Sequence, residues 1–279
     1  MKILHPTDFS HTAEKARAMA LDLMHRTDGS LHIVHVQQRF ENGQRGWLQP
    51  SFDNLNAELL ARIEEARKTE VRRIHERLRN LSSEGGTHEL RWGRPVQELL
   101  EAAEGFDLIV MGAHGQNRLD AYFLGGLAGR MVRRSTVPVL TVRDETTDLV
   151  VRRVLVATDF GDASRYAWHF ADRLNDHGIE TALVHVVDDP RYREDTDYAR
   201  RASEAMSEMA HDRAKQHILR QGDPIHVLPE VAHEIDADVI CVGVRHHASA
   251  IGLLLGSRAD ALLRSSPVPI LSVPHRAED

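Results

Sequence analysis

The sequence predicts an α/β protein of two tandem doubly wound, Rossmann-like domains, each with a five-stranded parallel sheet in the order 3-2-1-4-5 flanked by helices. Two observations carry this prediction: the chain repeats itself once, and within each copy short apolar runs alternate with longer amphipathic segments. That alternation is typical of βαβ units, in which helices cover both faces of a parallel sheet. With 279 residues, 42% of them hydrophobic, the chain is long enough to bury two cores.

The repeat consists of four passages that occur in the same order in both halves. "ILHPTDFSHTAEKARAMA" from Ile3 matches "VLVATDFGDASRYAWHFA" from Val154, and "VHV", "DLIVMG" and "VPVLTV" are answered by "VHV", "DVICVG" and "VPILSV". The offset between matching passages falls from 150 to 131 residues after the second match. The first copy therefore contains extra residues, which we place at about 37–55. The polar run "RDETTD" separates the copies and predicts domains at 1–147 and 148–279.

Each copy contains five strand-like runs. In the first copy they are "KILHPT", "SLHIVHV", "THELRW", "LIVMGA" and "VPVLTVR"; in the second they are "RVLVATD", "TALVHVV", "PIHVLP", "DVICVGV" and "VPILSVP". From Leu55 to Leu81 apolar residues recur at steps of three and four, which predicts a helix with one buried stripe. The closing strands, with Val139 and Ile270, are candidates to pair within the chain as a pseudodimer.

Composition argues against several classes of function. The net charge of −7 comes without a basic stripe, so nucleic acid is not an expected partner. The N-terminus shows no basic region followed by an apolar core, and no run of about 18 apolar residues occurs, so we expect a cytoplasmic protein without membrane spans. The 18 histidines form no HExxH pattern and the single cysteine forms no CxxC pair, so no metal site is expected.

The predicted topology brings two distant motifs together. Ligands of doubly wound sheets bind at the carboxyl ends of the strands where the winding reverses, here between strands one and four. Asp8 ends strand one, and the loop "GAHGQNRLDAYFLGG" follows strand four with Gly112, Gly115 and Gly125 before a predicted helix. Such a loop suits phosphate, because backbone N–H groups approach it freely at a helix N-terminus. Two alternatives stay open: the glycines only form a loop and a helix start, or Asp8, like Asp159 in the second copy, caps the helix that follows.

These motifs resemble those of the universal stress proteins in their tandem two-domain form. The resemblance covers almost the whole chain and rests on "LHPTDFSHTAEKA", "LVATDFGDAS", "LHIVHV", "LVHVV", "VPVLTVR" and "VPILSVP". In nucleotide-binding members the loop reads G-x2-G-x9-G followed by Ser or Thr. The first copy has all three glycines but carries Gly126 at the hydroxyl position. The second copy keeps Gly243, Gly256 and Ser257, whereas His246 replaces the middle glycine.

The resemblance implies a stress-response protein that binds ATP, ADP or AMP, with or without magnesium, chiefly in its first domain, as a sensor or regulator. The residues implied for this site are Pro6, Thr7, Asp8, Val36, Met111, Gly112, Gly115, Gly125, Gly126 and Leu127. The residues implied for a second, weaker site are Thr158, Asp159, Val186, Gly243, Gly256 and Ser257. No paired carboxylates, activated nucleophile or P-loop lysine accompany the glycines, so we do not expect an enzyme.

An alternative reading comes from a different class of function. In it the chain is an interaction or adaptor protein with degenerate pockets, which acts through its surfaces on an unknown protein partner. The extra segment contains Trp47, Leu48 and Phe52, which form either a lid or contact surface or ordinary packing within the domain. His35 and His185 occupy the same place in both copies, and their strand context predicts structural histidines rather than catalytic bases. Further pairing of chains into a homodimer stays open.

Overall fold

The first copy alternates strands and helices as predicted. The computed structural model describes residues 1–38, 57–114, 126–245, 247–249, 252–254 and 257–275. Within these ranges the elements of the first copy are β1 (Lys2–Pro6), α1 (His11–Arg26), β2 (Ser30–Gln37), α2 (Ala57–Ser82), β3 (Gly86–Trp92), α3 (Pro95–Ala102), β4 (Leu108–Gly112), α4 (Gly126–Arg134) and β5 (Val139–Val142). All five strands overlap the apolar runs from which they were predicted.

The second copy repeats this order and adds a small hairpin. Its elements are β6 (Arg153–Thr158), α5 (Asp162–Asn175), β7 (Glu180–Val187), a 3-10 turn (Pro190–Tyr192), α6 (Thr196–Ala210), β8 (Gln216–Gln221), α7 (Pro224–Glu234), β9 (Val239–Arg245), β10 (His247–Ser249), β11 (Gly252–Leu254), α8 (Ser257–Ser265) and β12 (Ile270–His275). Strands β10 and β11 pair with each other in antiparallel fashion, apart from the main sheet.

One predicted strand is wrong. The run "PIHVLP" lies in α7, and the third strand of the second copy is β8, immediately before it. Asp223 caps the helix, since its side chain accepts a hydrogen bond from the Ile225 N–H, and Pro224 stands at the first helical position, where its missing N–H is not needed. The first copy opens α3 with the same Gly-x-Pro entry at Pro95. The repeat therefore held a signal that the local apolar pattern obscured.

All ten long strands form one sheet, in the order β3-β2-β1-β4-β5-β12-β9-β6-β7-β8. Each half has the predicted order 3-2-1-4-5 with parallel neighbours. The halves join where β5 pairs with β12 in antiparallel fashion, with Val139 opposite Ser272 and Thr141 opposite Ile270. The expected pairing of the closing strands is thus present. Because the two halves run in opposite directions, their carboxyl ends lie at opposite edges of the sheet.

The long helix α2 differs from its counterpart in length and burial. It has 26 residues whereas α6 has 15, so part of the extra length of the first copy lies in this helix. Ile74 and Leu78 are buried as predicted, but Ala66 is exposed, so the single buried stripe holds only for the later turns. A periodic pattern sets which residues share a helix face, while burial also needs a surface opposite that face. Residues 39–56, with Trp47, Leu48 and Phe52, lie outside the described residues.

Side-chain contacts reinforce the junction between the halves. Arg143, at the end of β5, is buried and donates a hydrogen bond of 2.6 Å to the carbonyl of Arg264 at the end of α8. A cation at this position also complements the partial negative charge of a helix C-terminus. Arg133 of α4 pairs with Asp260 of α8 at 2.8 Å. The helices that follow strand four in each half are therefore in direct contact across the junction.

Two glycines, one at the end of β4 and one within β9, allow helices to pack closely on the sheet. A Cβ at Gly112 would lie 3.1 Å from the Thr12 side chain and 3.2 Å from the Thr12 carbonyl carbon of α1. A Cβ at Gly243 would collide with the carbonyl group of Ala163 in α5. Glycine suits the position of Gly112 because the backbone of α1 lies close against it.

His5 is a fully buried histidine in β1. Its Nδ1 lies 2.8 Å from the Val110 carbonyl, and its Nε2 has no hydrogen-bond partner among the described residues. Burial lowers the pKa of His5 from 6.5 to about 4; the Val110 carbonyl and Asp8 raise this pKa, whereas Arg17 lowers it further. Val156 occupies the matching place in β6 and is also buried. The folded chain thus keeps a neutral histidine where the second copy has a valine.

Gly243→Ala should destabilise the second domain by about 3 kcal/mol, because the added methyl group forces α5 away from the sheet. Gly126→Ala is the matched control, since its Cβ would meet only the end of the Arg130 side chain, at 3.6 Å. Urea unfolding followed by circular dichroism measures both variants. Equal unfolding midpoints for the two variants would show that the close approach of α5 to Gly243 is not a constraint.

His5 should make the fold acid-sensitive. Unfolding returns its pKa to about 6.5, so between pH 6.5 and pH 4 the unfolded chain binds a proton that the folded chain does not. Stability should therefore fall with pH in this window, by about 2 kcal/mol at pH 5. His5→Val should remove this contribution. Urea unfolding at pH 7.5 and pH 5 measures the difference, and an identical loss in both proteins would contradict the prediction.

Candidate functional site

A pocket of about 830 Å³ opens at the carboxyl edge of the first half, between β1 and β4. This is the point at which the strand order reverses. Eight of the ten residues predicted for the first site line this pocket: Pro6, Thr7, Asp8, Val36, Met111, Gly112, Gly126 and Leu127. The other two, Gly115 and Gly125, lie outside the described residues. Segments more than 100 residues apart in the sequence thus meet at one site.

The turn after β1 holds Asp8 in a defined position. Phe9 has a φ of +62°, a backbone conformation that residues other than glycine rarely adopt. Its N–H donates to Thr7 Oγ1 at 3.0 Å, and the Ser10 N–H donates to Asp8 Oδ1, also at 3.0 Å. Ser10, not Asp8, caps α1, because its hydroxyl accepts from the Ala13 N–H. The alternative that Asp8 is the helix cap is therefore wrong: it stabilises the turn before the cap.

His35 supports this turn from β2. Its Nδ1 lies 2.8 Å from the Thr7 carbonyl oxygen, and its ring packs on the ring of Phe9 at a centroid distance of 4.7 Å. Its Nε2 lies 3.3 Å from the side-chain oxygen of Gln37. Both ring nitrogens therefore have partners, as expected for a structural histidine.

Three arginines at the pocket were not found by sequence reasoning. The Arg77 guanidinium lies over the Phe9 ring at 3.9 Å, and Arg73, one turn earlier in α2, also lines the pocket. Arg130 lies one turn into α4 and extends back to within 3.6 Å of the Cβ position of Gly126. Helical spacing from Gly126 was a signal for Arg130, because residues i and i+4 share a helix face. No signal in the sequence connected α2 with this edge of the sheet.

The first pocket combines apolar walls with positive charge. Helix α4 begins at Gly126, beside the end of β4, so its first N–H groups and its partial positive charge are available to an anion. Arg73, Arg77 and Arg130 outnumber the acidic residues Asp8 and Glu70 in the lining. Such a site is suited to a ligand with an apolar ring and an anionic group.

A second pocket, of about 730 Å³, opens at the carboxyl edge of the second half. Four of its six predicted residues line it: Thr158, Asp159, Val186 and Gly243. Ser257 begins α8, and Gly256 lies outside the described residues, as does His246.

The turn at the second pocket repeats the first in detail. Phe160 has a φ of +63°, and its N–H donates to Thr158 Oγ1 at 2.9 Å. The Gly161 N–H donates to Asp159 Oδ1 at 2.9 Å, and His185 Nδ1 lies 2.8 Å from the Thr158 carbonyl. Gly161 is the N-cap of α5, so Asp159, like Asp8, is a turn residue rather than the helix cap.

The second pocket differs from the first in its charged and aromatic lining. Tyr198 of α6 places its hydroxyl 2.8 Å from His185 Nε2. Asp188, just after β7, forms an ion pair with Arg258 in the first turn of α8. Neither contact was predicted from the sequence, because Tyr198, Asp188 and Arg258 do not belong to the glycine motif.

The described part of the chain contains neither a metal-ligand cluster nor a membrane-spanning helix. No group of three His, Cys, Asp or Glu side chains is placed there to hold a metal ion. None of the described helices is both long enough and apolar enough to cross a membrane.

The chain is similar to known proteins along its length. A universal stress protein of Methanocaldococcus jannaschii is 29% identical over 153 residues, which cover 51% of this chain and 94% of that protein. One of Mycobacterium tuberculosis is 26% identical over 199 residues, which cover 66% of this chain and 67% of that protein. The crystal structure of a universal stress protein from Archaeoglobus fulgidus has the same fold, with a TM-score of 0.71, 23% identity and 98% of both chains covered.

The signature of the Universal stress protein family matches twice, at residues 1–143 and at residues 151–274, once in each half of the repeat. With these two matches covering nearly the whole sequence, the chain belongs to the universal stress protein family.

Proposed function

We propose that this chain is a cytoplasmic stress-response protein that binds an adenine nucleotide in its first-domain pocket and acts as a sensor or regulator, not as an enzyme. The observation that carries this proposal is the convergence at one pocket of the Thr7–Asp8 turn, the end of β4 and the start of α4. The family resemblance assigns these same segments to nucleotide binding. Their meeting at the reversal point of the sheet supports that assignment.

The lining of the pocket fits such a ligand chemically. Phosphate oxygens would lie at the N-terminus of α4, where backbone N–H groups and Arg130 donate hydrogen bonds. The Arg130 guanidinium extends to within 3.6 Å of the Cβ position of Gly126, so its charge lies at the start of α4, where the phosphate would bind. Pro6 and Val36 offer an apolar surface to the base, and Asp8 offers a carboxylate to the ribose hydroxyls. Gly126 lacks the family's hydroxyl at this position, but its backbone N–H still donates.

The polar groups around the turn support binding rather than catalysis. Asp8 Oδ1 accepts a hydrogen bond from the Ser10 N–H, and His35 contacts the Thr7 carbonyl and Gln37 through its two nitrogens. Among the described residues, the two ring nitrogens of His35 contact no serine, cysteine or lysine that the histidine would activate as a nucleophile. The geometry thus favours a residue set that holds the ligand in place.

Calorimetric titration of the nucleotide-stripped chain with magnesium ATP should give one ligand per chain. A ligand at 100 times its dissociation constant should also stabilise the fold by about 2.7 kcal/mol, which raises the thermal unfolding temperature. Absence of both heat and thermal stabilisation at millimolar ATP would sink the nucleotide proposal. The adaptor function, exerted through the protein surface, would then be the better account.

Arg130→Ala should weaken binding of magnesium ATP about 10-fold, because a charge-assisted hydrogen bond to phosphate is lost. Arg134→Ala is the matched control: it removes the same charge from the exposed last turn of the same helix, away from the pocket. Titration calorimetry measures both dissociation constants. Equal losses in the two variants would mean that Arg130 acts only through the general charge of α4, and the phosphate position would be wrong.

A further inference from the structure

The two pockets have the same Thr-Asp-Phe turn but differ at corresponding positions of their linings. Strands β2 and β7 both have eight residues and are in register with β1 and β6, so Gln38 and Asp188 occupy the same position after the second strand. Helices α4 and α8 both have nine residues, so Leu127 corresponds to Arg258. The second pocket therefore has an acid and a base where the first has two uncharged side chains.

The acidic Asp188 and the basic Arg258 of the second pocket form an ion pair. Asp188 lies at the end of β7 and Arg258 in the first turn of α8, and both line the pocket. Their ion pair thus connects the strand side of the pocket to the helix that follows strand four. In the first pocket Arg130 lies one turn into the corresponding helix, α4, and its counterpart in α8 is Ala261.

The ion pair changes what this pocket can accept. A phosphate group near the start of α8 would have to compete with the Asp188 carboxylate for Arg258 and would lie close to a like charge. Arg245, the other cation of the lining, packs over Gly161 at the start of α5. The acids Asp159 and Asp188 balance the two arginines, whereas in the first pocket the arginines exceed the acids.

We propose that Asp188 is a specificity-determining residue that excludes phosphate-bearing ligands from the second pocket. Its carboxylate forms an ion pair with Arg258 and so takes the place that the phosphate of a ligand would otherwise have beside this guanidinium. This inference uses the proposed function only to choose the test ligand, an adenine nucleotide. The difference in phosphate binding between the two pockets then depends on the Asp188–Arg258 pair and not on the glycine loop. Neutralising Asp188 should therefore release Arg258 and turn the second pocket into an anion site.

The test is calorimetric titration of the full chain and its variants with magnesium ATP. Asp188→Asn should add a second binding event, with affinity at that pocket raised about 10- to 100-fold. Asp188→Ser reaches the same uncharged state through a different shape and should behave alike. Asp188→Glu keeps the charge and should bind as the unmodified chain does. Adding Arg258→Ala to Asp188→Asn should abolish the new site, and circular dichroism verifies folding of each variant.

Stoichiometry separates this inference from the proposed function. One site in the unmodified chain and two in Asp188→Asn support both. No site in the unmodified chain but one in Asp188→Asn supports the inference and contradicts nucleotide binding in the first domain. Unchanged stoichiometry in both Asp188→Asn and Asp188→Ser, or two sites already in the unmodified chain, would overturn the inference, whatever the first pocket does.

Discussion

The antiparallel pairing of β5 with β12 is the constraint on which the placement of both pockets depends. It joins two parallel five-stranded sheets into one sheet and makes their strands run in opposite directions. Since ligands of such sheets bind at carboxyl ends, the two pockets must open at opposite edges. Each pocket is therefore built within its own half, while α4 and α8 meet at the junction through Arg133 and Asp260.

The two halves share a frame of hydrogen bonds to backbone groups, whereas the residues that line their pockets differ. The frame is the Thr-Asp-Phe turn, with its phenylalanine at positive φ and a histidine bound to the threonine carbonyl. Changing a frame residue would disturb a turn that holds the start of a helix. Residues such as Arg130 and Asp188 line the pockets from elements outside this turn, so their side chains can change without replacing a residue of the turn. Binding preference can thus diverge between the halves while the fold stays the same.

Much of this architecture could be predicted from the sequence because it depends on repeated local patterns. Apolar runs located nine of the ten long strands, and the doubly wound fold class predicted their order. The prediction of a strand at "PIHVLP" was wrong because its apolar residues suit a strand, whereas a capping aspartate and a proline start a helix there. Arg77 and the Asp188–Arg258 pair were missed for another reason: side-chain contacts between distant elements leave no periodic trace. The close approach of Gly112 to α1 is likewise visible only in three dimensions.

Carrying both halves in one polypeptide changes how such a protein can evolve. In a symmetric dimer of identical chains every substitution appears in both copies, so one site cannot change without the other. Here the two halves that meet at the β5–β12 junction are encoded by different parts of one sequence, so each mutation affects one half only. A histidine buried in β1 and a valine in the matching place of β6 show that even core positions have taken separate paths. The tandem repeat therefore allows one half to change its sequence while the other half keeps its own.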